Sequence, residues 1–148
     1  MTSNRFMEHQ ILTVAETCQR IEAGRVLVVA GAAALLGTLP KGNWIGGTTA
    51  YFMDHSGGQV NQKALFVTDF TEVLTDFHIA AYDETTILTT MLGARPDNGF
   101  SFVLLPCFSS ILQTYALESR NADTLFDKPV VGWITGGQLD EGTDYSPT

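Results

Sequence analysis

Positive charge is scarce in this chain, with 8 Lys and Arg against 16 Asp and Glu and a formal net charge of −8. That balance repels phosphate backbones, and no Lys/Arg cluster offsets it locally, so nucleic acid is not an expected partner. Cysteine is limited to Cys18 and Cys107. The first eight residues lack the apolar centre of a signal peptide, which leads us to expect a cytoplasmic chain with both thiols reduced. Histidine occurs as His9, His55 and His78, without an i, i+4 pair and without Cys-x-x-Cys spacing, which argues against a structural zinc site. Asp54, Asp140, Glu141 and Asp144 lack the spacing of a calcium loop, so no metal is expected. The longest nearly uncharged stretch, residues 26–39, is interrupted by Gly31 and Gly37. It falls short of the ~20 apolar residues of a membrane helix, so no membrane partner is expected.

What is present is the composition of a packed protein, 45% hydrophobic and 16% charged. At 148 residues the expectation is one α/β domain over 1–148. Its most informative feature is a pair of look-alike segments, Trp44-Ile45-Gly46-Gly47-Thr48-Thr49 and Val131-Gly132-Trp133-Ile134-Thr135-Gly136-Gly137. Each follows an apolar strand, a helix and a Pro-Lys or Lys-Pro turn. One strand–helix–strand unit used twice is the expected architecture, within a mixed sheet of five to seven strands flanked by helices.

Element by element, Thr13-Val14-Ala15-Glu16 has the spacing of a capping box, and the helix it starts ends near Ala23 with Gly24 behind it. Residues 25–30 lack polar alternation after Arg25, as expected of a central strand covered on both faces. Residues 32–39 read as a short helix stopped by Pro40 and Gly42, and 44–50 as a strand parallel to the previous one. The turn at 54–58 predicts an antiparallel hairpin or meander between 51–53 and 64–68. The alternation over 76–82 predicts a half-buried strand with Phe77, Ile79 and Ala81 on one face and Asp76, His78 and Tyr82 on the other. Asp83 is placed to cap a helix through Met91. Strand 100–105, helix 108–120 and strand 130–134 form the second unit, followed by an acidic, turn-rich tail. That second copy lacks the hairpin that follows the first, so a fragment or shortened member of a longer family is expected.

The segment from Leu39 to Thr48, with Gly42-Asn43-Trp44-Ile45-Gly46-Gly47-Thr48 at its centre, carries a family resemblance that Asn98 to Phe102 and Val131 to Ile134 extend. The chain resembles an uncharacterised family of bacterial hypothetical proteins, which in turn resembles the N-terminal part of FIST-type sensory domains. The resemblance implies a cytoplasmic α/β module that senses small ligands such as amino acids and signals to partner domains, without catalysis. Some FIST-type proteins bind haem, but no motif here identifies an axial ligand, and no cofactor is assigned.

Glycine and threonine at strand ends offer backbone N–H groups and hydroxyls where open α/β sheets hold their ligands. Neither segment has the spacing of a dinucleotide loop. The expected ligand is therefore a small carboxylate or amino acid. Its expected crevice is made by Asn43, Trp44, Gly46, Gly47, Thr48 and Thr49 with Cys107, Ser109, Ser110, Trp133, Thr135 and Gly136. Packing of the tryptophans in a core and crowding relief by the glycines are the plainer alternatives. Two other functions stand beside a non-enzymatic sensor. Cys107 precedes a helix whose dipole favours a thiolate, which would suit a thiol-dependent hydrolase or transferase. An exposed sheet edge would suit an assembly module, as a homo-oligomer or with a signalling partner.

Overall fold

Thr13 opens the first helix as its spacing predicts. Its hydroxyl accepts from the Glu16 amide at 3.2 Å while the Glu16 carboxylate accepts from the Thr13 amide at 2.8 Å, so two orphan donors are satisfied reciprocally. The computed structural model describes residues 8–136. Those residues cluster into two compact units that meet in sequence between Ile79 and Ala80. Each is taken by itself.

The first unit contains β1 (Glu8–Leu12), α1 (Val14–Glu22), β2 (Leu27–Gly31), α2 (Ala33–Leu36), β3 (Trp44–Thr48), β4 (Tyr51–Asp54), β5 (Gly57–Val60) and β6 (Leu65–Asp69). Gly24, at φ +78°, turns the chain out of α1 in a conformation that costs glycine little. β2 is buried along its whole length, and the sheet order β1-β6-β2-β3 makes it an interior strand, as its uniform apolar sequence requires. β3 runs parallel to β2, and β6 lies antiparallel to both β1 and β2. Leu12, Ile21, Leu27, Val29, Leu65 and Val67 form the core, each fully buried aliphatic contributing roughly 1.5–3 kcal/mol.

The single sheet of five to seven strands is not what forms among the described residues: this four-stranded sheet is accompanied there by two two-stranded ones. The partner of β4 is β5, joined by a tight turn, whereas β6 leaves the hairpin and inserts between β1 and β2. β1 was not foreseen; its partner among the described residues is β6, far along the chain, so no local pattern marks it.

The second unit holds α3 (Thr90–Ala94), β7 (Ser101–Pro106), α4 (Ser110–Glu118) and β8 (Val130–Thr135), with 3-10 turns at Ser119–Asn121 and Leu125–Asp127. β7 and β8 are parallel, joined through α4, and so repeat the β2–α2–β3 arrangement. Val103, Leu105 and Val130 project from one face of this pair into a core with Ile87, Met91, Leu125 and the α4 side chains Ile111, Leu112 and Tyr115. Arg95 ties the unit together by donating from Nη1 to the Leu125 carbonyl at 2.7 Å and from Nη2 to that of Thr124.

Two expectations fail over residues 76–91. Residues 76–82 form no strand; they are irregular, with Phe77 and Ile79 exposed, because alternation stabilises a strand only where a neighbour supplies a ladder. The face expected to join Asp76, His78 and Tyr82 therefore does not exist. The helix expected from Asp83 to Met91 is replaced by turns up to Thr89. The Asp83 carboxylate accepts from the amides of Thr85 and Thr86 at 2.9 and 3.0 Å, and the Thr89 hydroxyl bonds the Thr85 and Thr86 carbonyls. The Asp83 bonds are the expected cap, and the Asp83 carbonyl accepts from the Ile87 amide at 2.9 Å, whereas the Thr89 hydroxyl bonds, made to carbonyls within the same turns, compete with regular helical geometry.

Candidate functional site

The expected site residues divide between the two units. In the first, Asn43 and Trp44 serve the fold. Asn43 Nδ2 donates to the Gly24 carbonyl at 3.3 Å and the Asn43 carbonyl accepts from the Leu27 amide at 2.9 Å, fixing the register of β3 on β2. The Trp44 indole N–H, expected to be ready for a guest, donates to the Pro40 carbonyl at 2.8 Å, and the ring packs on the core. Gly46 lies on the same face two residues on; a Cβ there would meet the Trp44 ring at 2.7 Å and the Val29 carbonyl at 3.1 Å. Its lack of a side chain is what lets the indole lie flat on the strand. Gly47 is buried and paired with Ala30, and Thr48 with Gly31. The Thr49 amide donates to the Gly31 carbonyl at 3.1 Å, and its hydroxyl accepts from the Tyr51 amide at 3.2 Å. These two threonines end the parallel ladder and start the turn into β4.

The same unit contains a buried charge that sequence reasoning missed. Asp69 is 3% exposed and accepts from Arg25 Nε at 2.6 Å and from the Thr71 amide at 3.0 Å, with Arg20 at 3.6 Å. Burial pushes this carboxyl up, but the hydrogen bonds from Arg25 and Thr71 more than offset it and hold the group below the usual carboxylate range. Arg25 also reaches Glu72 at 3.2 Å. Only the fold brings these charges together, so no motif spacing announces them.

In the second unit the expected residues gather at the carboxyl end of β7 and β8, where α4 begins. The Cys107 amide donates to the Thr135 carbonyl at 3.0 Å, and a Cβ on Gly136 would stand 4.0 Å from the Cys107 Cβ. Ser109 caps α4: its hydroxyl accepts from the Leu112 amide at 3.2 Å and donates to the Pro106 carbonyl at 2.6 Å. The Ser109 amide also donates to that carbonyl, at 3.4 Å, so both of its polar groups are engaged in the turn. Ser110 occupies the first helical position and is exposed, as is the Cys107 thiol.

Between them stands Phe108, a residue that the sequence does not flag, in the left-handed region at φ 58° and 69% exposed. An aromatic residue in that conformation costs about 1–2 kcal/mol. Glycine or asparagine would have signalled the turn in the sequence; phenylalanine conceals it.

Trp133 packs edge-on against Phe102, ring centroids 5.7 Å apart, and its Nε1 is buried without a hydrogen-bond partner among the described residues. Gly137 and the acidic residues expected beyond it lie outside the described residues. Among the described residues, no group of three or more His, Cys, Asp or Glu side chains is placed to hold a metal ion, and no helix is long and apolar enough to cross a membrane.

The ladders place Gly46 and Gly132 at the same position of the two units. Gly46 is third in β3 and faces Val29, third in β2; Gly132 is third in β8 and faces Val103, third in β7. The tryptophans do not correspond, since Trp44 shares a face with Gly46 whereas Trp133, adjacent to Gly132, projects to the other.

Fold and ladders together define a mixed α/β protein that uses a parallel strand–helix–strand unit twice. The chain belongs to a family of unknown function, DUF6976, whose family model matches residues 12–148. No curated protein and no solved structure matches it.

Proposed function

We propose that this protein is a non-enzymatic small-ligand-binding module and that its ligand, a small carboxylate or amino acid, binds where β7 and β8 end and α4 begins. The observation that carries this reading is the strained turn at Phe108, where Cys107 is bonded to Thr135 and lies beside Gly136 just before α4 begins. The first amides of a helix have no intrahelical acceptor, and together with the helix dipole they favour a carboxylate group. Gly136 has no side chain where a Cβ would stand 4.0 Å from that of Cys107, and the exposed Ser110 opens α4 three residues on. Strain held at a non-glycine residue is a recurrent property of functional turns, and Phe108 is such a residue. A cytoplasmic sensory role, with a signal passed to a partner, rests on the resemblance to FIST-type domains in the rhythm of strand, helix and a strand ending in Ile-Gly-Gly or Val-Gly-Trp.

A thermal-shift series of small carboxylates, amino acids and their amides tests the reading. At least one carboxylate is expected to raise the melting temperature of the full chain, its amide less so, and Gly136→Val to abolish the effect without lowering the melting temperature of the free protein. If no compound stabilises the wild type, or if Gly136→Val leaves every shift intact, the site is wrong. Labelling by a thiol-reactive electrophile at neutral pH separates this reading from thiol catalysis: a binding module leaves Cys107 no faster than free cysteine.

A further inference from the structure

We propose that β8 is also an interaction surface, and that the partner it fits is β8 of a second copy of this chain, paired antiparallel about a two-fold axis through Gly132. β7 and β8 form a sheet of two strands among the described residues, so β8 satisfies one side of its backbone on β7 and presents the other as an edge. Two-stranded sheets are marginal by themselves, and parallel pairs are ordinarily found inside larger sheets. Edge strands are normally blunted by lysine, proline or a bulge. Val130-Val131-Gly132-Trp133-Ile134-Thr135 has no charge and no proline, and its ladder on β7 runs without interruption. Val131 is 49% and Ile134 54% exposed, and they project to opposite faces, so apolar surface is open on part of each face.

The pattern along the strand argues for a second copy as the partner. Centred on Gly132, an antiparallel self-pairing places Gly132 opposite Gly132, Val131 opposite Trp133 and Val130 opposite Ile134. The outer pairs are then aromatic on β-branched and β-branched on β-branched, the combinations that stabilise sheets best, at about 0.2–1 kcal/mol each. A net charge of −8 on each chain opposes association of two copies, and an uncharged strand is where that opposition is least. A six-residue contact covers less than the ~800 Å² per partner of a standard interface, so the dimer is weak and concentration-dependent. Its product is a four-stranded sheet in the order β7, β8, partner β8, partner β7.

Sedimentation velocity of the full chain over a hundredfold range of concentration, at low and at physiological salt, is the test. The wild type is expected to pass from monomer to dimer, at lower concentration when salt screens the charge. Val131→Lys and Ile134→Lys are each expected to shift that transition at least tenfold higher. Hydrogen exchange of the wild type, dilute against concentrated, serves if either variant misfolds: added protection confined to residues 130–135 supports the pairing. A wild type that stays monomeric throughout overturns the proposal. So does a dimer indifferent to both substitutions, or added protection that falls elsewhere.

Discussion

Two residues of the second unit show how backbone geometry limits what a position tolerates. Gly132 has φ +152°, and a Cβ there would fall on the Val103 backbone carbonyl. Gly132→Ala is therefore expected to destabilise by about 2–3 kcal/mol in urea denaturation, because strand separation is the only relief. Phe108 presents the opposite case. Replacing it by glycine removes left-handed strain of ~1–2 kcal/mol and adds back ~0.5–1 kcal/mol of chain entropy, so Phe108→Gly is expected to stabilise by about 0.5–1 kcal/mol. If the strain serves binding, that variant gains stability and loses its carboxylate response in the same thermal-shift series. Asp69 adds a pH dependence. Its folded pKa lies below the unfolded value, so its contribution is present above the unfolded carboxylate range and is lost as pH falls through the folded pKa. Wild-type stability should accordingly fall on acidification more steeply than that of Asp69→Asn, as compared by urea midpoints between neutral pH and pH 3.

Among the elements, those with a purely local cause were legible. The capping box of α1 needs only Thr13 and Glu16, and both of its bonds form; Thr13→Ala is expected to cost about 1 kcal/mol, read as a lower midpoint in chemical denaturation. β2 was legible because burial on both faces excludes polar residues from every position. Elements defined by distant partners were not. β1 depends on β6, and the alternation of 76–82 meets no partner strand among the described residues. The candidate site divides in the same way. Cys107, Ser109 and Ser110 were readable because a strand, a turn and a helix follow one another there, whereas Phe108 and the Asp69 charge cluster depend on a backbone angle and a tertiary contact. Trp44 and Trp133 look equivalent as letters, but a one-residue offset from the glycine sends them to opposite faces.

For the molecule as a whole, the division into two compact units has a direct experimental signature. The segment that joins them is irregular and exposed, and it contains Phe77, an aromatic residue that chymotrypsin prefers. Brief digestion of the folded protein should cut first between 74 and 82, since exposed segments without regular hydrogen bonding are nicked before packed ones. Mass spectrometry of the early products checks it; first cuts inside β2, β6 or α4 would show that the units are not the stable parts.

The insertion of β6 between β1 and β2 also sets a schedule for the chain as it leaves the ribosome. β2, the most apolar strand of the first unit, is made well before the strand that will cover its flank. At ~5–20 residues per second the wait from Leu27 to Leu65 is roughly 2–8 s, long against the microseconds in which hairpins form. During that interval a nascent Leu-Val-Val-Ala-Gly segment has β3 as its one available strand, and an arrest before Leu65 releases a polypeptide whose stickiest ribbon is still half undressed.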